Sequence, residues 1–290
     1  MKKNECLSEE TLEKVGVLKS AFQSAIDEIP VKDVALFLSG GLDSRNCLYA
    51  LEEANKNIHA YTFHMEGIES TDLITARKIA ENHKIELTEI SVPSDIESIK
   101  KYLVFFIHKF KETGKANIEC CYPMYHTIPI IKESYVVQGV DGNFFLDSKK
   151  AALHYSQSLE LSNEYRWMGY KNHAQRDELD GLCAMLNPNL KFVRPFYEKN
   201  VFDCLCKFTY DEMTKPHLKA CLEYMYRDAF LNEDIKTYVS NYQKGDSGIA
   251  DAFNILMETD WAKGKSVQSI YNAIGRRELP PRGNLIFGKR

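Results

Sequence analysis

No stretch of this sequence approaches the roughly 20 consecutive apolar residues that a membrane-spanning helix requires, so none of it is expected to cross a bilayer. Its first residues lack a basic start followed by an apolar run, which argues against a secretory leader. It also lacks a dominant charge of one sign. The formal net charge is -4 over 290 residues, so no global basic field points to nucleic acid or a membrane surface. Only the end is locally basic. From Lys263 onward, Lys263, Lys265, Arg276, Arg277, Arg282, Lys289 and Arg290 stand against one acid, Glu278, which reads as a solvated tail.

Two familiar motifs are missing as well. None of the eight cysteines is spaced C-x-x-C, which excludes a zinc ribbon and a thioredoxin-like centre. Cys120-Cys121 and Cys204/Cys206 are poorly spaced for a shared metal. Free thiols in a reducing compartment are the simpler reading, and a cytoplasmic location follows from it. The G-x-x-x-x-G-K-S/T phosphate loop is absent too, which argues against kinases and motor ATPases.

The residues that are present describe an ordinary soluble domain, 44% hydrophobic and 27% charged. Leu12, Val15, Leu18, Phe22 and Ile26 recur at helical spacing, and Pro30 stops that helix. Val34 to Leu38 is a continuous apolar run, as a strand buried on both faces requires. Further strands are predicted over 58–63, 85–92 and 134–138, with helices over 46–53, 72–83, 96–110 and 124–133 between them. Strands alternating with helices predict an α/β fold, a parallel twisted sheet with helices on both faces. After about residue 151 the pattern turns mostly helical, over 160–169, 201–208, 219–230, 250–257 and 267–274. The expected division is an α/β core over 1–150, followed by a helical region over 151–290 that packs on it and completes the active site.

The most informative string is Ser39-Gly40-Gly41-Leu42-Asp43-Ser44, set between the first strand and a helix. Its chemistry suits a polyphosphate. Glycines let the backbone approach the oxygens and can adopt positive φ. Successive N–H groups and the following helix N-terminus attract anions. Ser39 and Ser44 can donate hydroxyl hydrogen bonds. Ionised Asp43 cannot bond to phosphate directly, and its sensible role is to hold Mg2+ on the phosphate oxygens.

This string resembles the pyrophosphate loop of the N-type ATP pyrophosphatases, which cleave ATP between its α and β phosphates. Further segments resemble, in order, the synthetase domain of asparagine synthetase. They are Ile29 to Leu38, Tyr61-Thr62-Phe63, Asp72 to Ala80, Pro123-Met124-Tyr125, Gln138-Gly139-Val140-Asp141, Val193-Arg194-Pro195-Phe196, Tyr226 to Phe230 and Tyr242 to Gly248. The resemblance implies a Rossmann-like core with ATP and Mg2+ as cofactors. It implies that the backbone at Phe37 and Phe63 flanks adenine, that Gly139 lines the nucleotide, that Asp141 joins Asp43 as a magnesium ligand, and that Lys244 is the catalytic lysine on the phosphates.

The sequence departs from that family in three places. It begins Met1-Lys2-Lys3 with Cys6 internal, whereas asparagine synthetases place a nucleophilic cysteine directly after the initiator Met, so no glutaminase is expected here. Gln138 stands where the family has a glutamate. A Gln side chain can position a nucleophile but cannot deprotonate it, and Tyr125 and Glu119 are polar alternatives nearby. Gly142 replaces the acid after Asp141, and Tyr197-Glu198 replaces Leu-Asp.

The leading expectation is an ATP-dependent, AMP-forming amide ligase with Lys244 and Gln138 as catalytic residues. Its partners would be a small-molecule carboxylate and ammonia or an amine, the ammonia supplied free or by a separate glutaminase subunit. An ATP pyrophosphatase modifying a nucleobase or tRNA, and a non-catalytic nucleotide-binding subunit, are the alternatives.

Overall fold

Hydrogen bonding joins five strands, β1 (Asp33–Phe37), β2 (Asn57–Met65), β3 (Glu86–Val92), β4 (Tyr135–Val137) and β5 (Lys191–Val193), into one parallel sheet ordered β3-β2-β1-β4-β5. The structure is a computed structural model. It describes residues 7–139, 158–174, 178–213, 217–233, 235, 246–255, 262 and 264–276.

The register is continuous across the centre. Ala35 lies between His59 of β2 and Val136 of β4, and Leu36 between Ala60 and Val137. Starting from β1, the chain adds β2 and β3 on one side and β4 and β5 on the other. The order therefore reverses at β1. In open parallel sheets the crevice outside the carboxyl ends of the strands at such a reversal is where ligands bind.

Residues of β1 alternate between two apolar cores. Val34 and Leu36 face one core with helix α1 (Glu9–Asp27) and helix α2 (Leu42–Glu53). Ala35 and Phe37 face the other, with helix α4 (Ile96–Phe110) and helix α5 (Lys115–Thr127). All four strand residues are buried, which explains the unbroken apolar run. Helix α3 (Thr71–His83) follows β2 and begins at an N-cap Ser70, whose side chain accepts from the Leu73 N–H.

The second half of the chain supplies α6 (Leu159–Ala174), α7 (Glu178–Leu186), α8 (Lys199–Leu205), α9 (Tyr210–Met213), α10 (His217–Met225), α11 (Arg227–Asn232), α12 (Ile249–Asn254) and α13 (Val267–Gly275). Buried residues of α8 and α10, among them Phe202 and Leu222, join the core of α1 and α2. Ile249 and Phe253 of α12 and Ile270 of α13 join the core of α4 and α5.

Several expectations need correction. The helix expected over 124–133 runs over 115–127 and passes into a short 3-10 turn, Ile128–Ile130. Pro123 sits inside the helix. The helix expected from Asn46 begins at Leu42, inside the glycine string itself. The helix expected over 219–230 is broken at Tyr226 (φ -131°, ψ 48°), giving α10 and α11. The sheet does not end near residue 150, because its fifth strand comes from 191–193 and pairs with β4. Three residues are too few to show a strand period, which is why the sequence pattern missed it.

Candidate functional site

The glycine string closes the carboxyl end of β1 and opens α2, as its residue types require. Gly41 is the N-cap, extended at φ -73° and ψ 157°, so it does not use the positive-φ freedom anticipated for it. What it provides is room. A Cβ at Gly41 would stand 3.3 Å from the Ser39 Oγ, which accepts a hydrogen bond from the Gly41 N–H at 3.3 Å.

Ser44 fixes the turn from the other side. Its Oγ lies 2.8 Å from the Ser39 carbonyl oxygen and 3.1 Å from that of Gly41, and it accepts from the Ser39 N–H at 3.3 Å. The two serine hydroxyls are 3.1 Å apart. The loop is thus held in shape by its own hydroxyls, with the first turn of α2 and its unsatisfied N–H groups behind it. Asp43 lies half-buried in that first turn.

A second loop leaves β4 beside this one. Gln138 donates its backbone N–H to the Val193 carbonyl at 3.0 Å, so β5 sets the direction in which the chain leaves β4. The next residue, Gly139, lies against the glycine loop. A Cβ there would stand 2.5 Å from the Asp43 carbonyl carbon, 2.6 Å from its oxygen and 2.7 Å from the Ser44 nitrogen. No side chain other than hydrogen fits. The Oε1 atom of Gln138 is buried and receives no hydrogen bond from the described residues.

Phe37 and Phe63, on neighbouring strands, pack into the same core face, Phe37 against Phe192 at 5.8 Å between ring centroids. Ser39, Gly40, Gly41, Asp43, Ser44, Gln138 and Gly139 are therefore gathered at one end of the sheet, with Phe37 and Phe63 on one face beneath. Asp141 and Lys244 lie outside the described residues. Tyr125 sits in an aromatic cluster with Tyr102 and Phe105. Glu119 is fully buried, with the Tyr271 hydroxyl at 3.3 Å and the Lys115 ammonium at 3.5 Å. Arg194 pairs with Asp180 at 2.9 Å and lies over the Tyr197 ring.

Cys47, one turn into α2, is no nucleophile. Complete burial pushes its thiol well above the ordinary range, and the charge of Asp43 adds to this. Among the described residues the other cysteines are free as well, as expected, and no group of three or more His, Cys, Asp or Glu side chains could hold a metal by itself. Asp43 is the carboxylate that the first turn of α2 brings to the glycine loop.

Sequence reasoning missed a charged cluster behind the loop. Arg45, next to Ser44, is completely buried. Its guanidinium hydrogen-bonds the Glu233 carboxylate and reaches the Tyr49 hydroxyl at 3.3 Å, and it lies 4.4 Å from the Phe230 ring centroid. The other Glu233 oxygen is 2.6 Å from His83 Nε2, and His83 Nδ1 is 2.6 Å from Glu52. The hydrogen bond to Glu233, then that to Glu52, raises the His83 pKa to about 9. Burial pushes the Glu233 carboxyl up, but hydrogen bonds from His83 and Tyr49 and the charge of Arg45 outweigh it and hold it below its ordinary range. Arg45 stands among the polar residues Asp43, Ser44 and Asn46, so nothing in the sequence signals that it is buried. Its partner, 188 residues away, carries no signal either.

Residues 18–137 match the family model for asparagine synthase. This stretch is an asparagine synthase-family domain. The asparagine synthase-type domain thus spans β1 to β4 and carries the whole pyrophosphate loop. It ends one residue before Gln138, so Gln138, Gly139, β5 and the later helices lie beyond it.

Among solved structures, the chain is similar to a predicted subunit of tRNA methyltransferase from Methanocaldococcus jannaschii (19% identity, 90% of this chain and 98% of that one, TM-score 0.37). It is similar to the U34-tRNA thiolase NcsA from Methanococcus maripaludis (15% identity, 96% and 84%, TM-score 0.43). It is also similar to an NH3-dependent NAD synthetase from Campylobacter jejuni (16% identity, 81% and 100%, TM-score 0.33). At these scores the likenesses carry no weight for function. No curated protein matches. No described helix is long and apolar enough to cross a membrane.

Proposed function

We propose that the protein is an ATP-dependent amide-forming ligase that activates a carboxylate as its adenylate. The observation that carries this reading is the pyrophosphate loop at the carboxyl end of β1, with Gly139 packed directly on Asp43 and Ser44. Such packing brings two loops side by side at the sheet's reversal point, where parallel sheets bind ligands.

In this reading the N–H groups of the loop and of the first turn of α2 receive the β and γ phosphates. Asp43 and, by the family resemblance, Asp141 hold Mg2+, which supplies charge neutralisation on those phosphates. Adenine sits against the backbone at Phe37 and Phe63. A carboxylate oxygen forms a bond to the α phosphorus while the bond from that phosphorus to the bridging oxygen breaks, and pyrophosphate leaves. An amine nitrogen then adds to the acyl carbon, loses a proton, and AMP departs. Holding both reactants side by side provides most of the acceleration. Lys244 would stabilise the charge that develops on the phosphates.

Gln138 cannot take the amine's proton. Its buried Oε1, which accepts nothing from the described residues, is suited to receive an N–H of the incoming amine and so to orient it. The domain division follows the same reading: the α/β core over 1–150, joined by β5 from 191–193, carries the nucleotide, and residues 151–290 pack on it and complete the active site.

The test is product analysis. Purified protein with Mg2+, ATP and a panel of carboxylates with ammonia should accumulate AMP and pyrophosphate in equal amounts. Release of ADP and phosphate would overturn the ligase reading. AMP formation that needs added RNA and no carboxylate would replace it with a nucleobase-modifying one.

A further inference from the structure

We infer that Glu233 is a positioning residue for the pyrophosphate loop, acting through Arg45 on the first turn of α2. The inference rests on the reading of that loop as the phosphate site. It begins from what the cluster connects. Arg45 directly follows Ser44 and belongs to the same helical turn as Asp43. His83 closes α3, the helix that follows β2 and its Phe63. Glu233 belongs to neither helix. It comes from the residue after α11, and its side chain is 6% exposed. One carboxylate thus receives a guanidinium from α2 through one oxygen and an imidazole from α3 through the other.

The charges along this chain alternate: Glu52, His83, Glu233, Arg45. A buried guanidinium is tolerated only with a partner of opposite charge, and removing that partner is costly. Arg45 has little freedom to find another. Its Nε is held by Tyr49, its face lies over Phe230, and its second terminal nitrogen is buried with no hydrogen bond among the described residues. The direction in which Arg45 leaves α2 is therefore set by Glu233. The first turn of a helix has no intrahelical partners for its N–H groups, so it is the part most easily rotated by such a side-chain tether. Asp43 and Ser44 share that turn, and Gly139 allows it no room to shift toward β4.

This arrangement differs from a pair that only stabilises the fold. Misplacing the first turn of α2 should weaken ligands that carry β and γ phosphates and leave alone those that end at the α phosphate. The measurement is calorimetric titration of the full-length protein with Mg·ATP and, separately, with AMP, comparing the wild type with Glu233→Gln. Glu233→Gln keeps the shape and removes the charge. A lost charge-assisted hydrogen bond of loop to phosphate is worth about 1.5 kcal/mol, or roughly tenfold in affinity. We expect Mg·ATP affinity to fall by that factor while AMP affinity is unchanged.

A lower melting temperature with both affinities unchanged would overturn the inference and make the cluster structural. An equal fall for both ligands would overturn it as well. If Glu233→Gln does not fold, Arg45→Lys, which keeps the buried charge but loses the fork, must show the same split in smaller measure, and its absence refutes the idea. Failure of the wild type to bind Mg·ATP at all would remove the phosphate-site reading and the inference with it.

Discussion

Gly139→Ala adds one methyl group where the structure has least room for it. The new Cβ would lie 2.5 Å from the Asp43 carbonyl carbon, 2.6 Å from its oxygen and 2.7 Å from the Ser44 nitrogen. Carbon pairs settle at about 3.5–4.0 Å, so relief requires a displacement of about 1 Å. The obstructing atoms are backbone of the first turn of α2, which no rotamer change can move aside. Overpacking of this kind costs about 1–3 kcal/mol. For a domain of this size each kcal/mol lowers the melting temperature by about 2–4 °C.

The functional effect should exceed the stability effect. A misplacement of about 1 Å in a site that orients reactants costs on the order of a hundredfold in rate. The assay is carboxylate-dependent pyrophosphate exchange into ATP, alongside thermal melting followed by circular dichroism. Gly16→Ala is the internal control. It sits inside α1 with nothing within 4 Å of the added methyl, and should stabilise by about 0.5–1 kcal/mol with no change in exchange. A Gly139→Ala protein with wild-type melting and wild-type exchange would refute the close approach of the two loops.

Asp43→Asn should weaken the dependence of ATP affinity on Mg2+, read by titration with and without the ion, while AMP binding persists. The Glu52–His83–Glu233 cluster gives stability an alkaline limb. Because the folded His83 pKa, about 9, lies above its ordinary 6.5, the contribution is complete below 6.5 and is lost as pH rises through 9. His83→Gln should remove that limb from melting temperatures measured between pH 6 and 10. Asp246 accepts from the Thr71 backbone N–H at 2.7 Å and from its hydroxyl in the first turn of α3, and these bonds, the hydroxyl first, hold its carboxyl below its ordinary 3.8. Asp246→Ala should cost about 1 kcal/mol at neutral pH and progressively less as pH falls below 3.8, checked by denaturant melts.

The parallel sheet was legible because its central strand is buried on both faces, and an unbroken apolar run such as Val34 to Leu38 is what a strand covered by helices on each side needs. Helix α4 was legible to the residue, since its N-cap Asp95 and its apolar stripe agree. Helix α5 was not. A helix was expected over 124–133, while the helix runs over 115–127 and holds Pro123 as its ninth residue. The glycine loop stands out because glycine, serine and aspartate at that spacing follow directly on a buried apolar strand. Its support does not. The fit of Gly139 against Asp43 depends on two strands separated by about a hundred residues of chain, and the Glu233 partnership with Arg45 spans 188 residues. Neither leaves a periodicity in the sequence.

The pairing of β5 with β4 also bears on the order in which the molecule can be made. Tyr135 and Lys191 are register partners, so the chain must grow by 56 residues after Tyr135 before the pair can form. Until residue 193 has emerged from the ribosome, β4 is an open edge whose unpaired N–H and C=O groups can recruit any passing strand. The Gln138 N–H likewise waits for the Val193 carbonyl. A nascent chain halted near residue 150 would hold the glycine loop and the sequence of β4 yet present a sticky rim in place of a finished crevice. Closure of that long loop is a slow step by its nature, which makes the interval between the two strands the period when a growing chain is most exposed to aggregation.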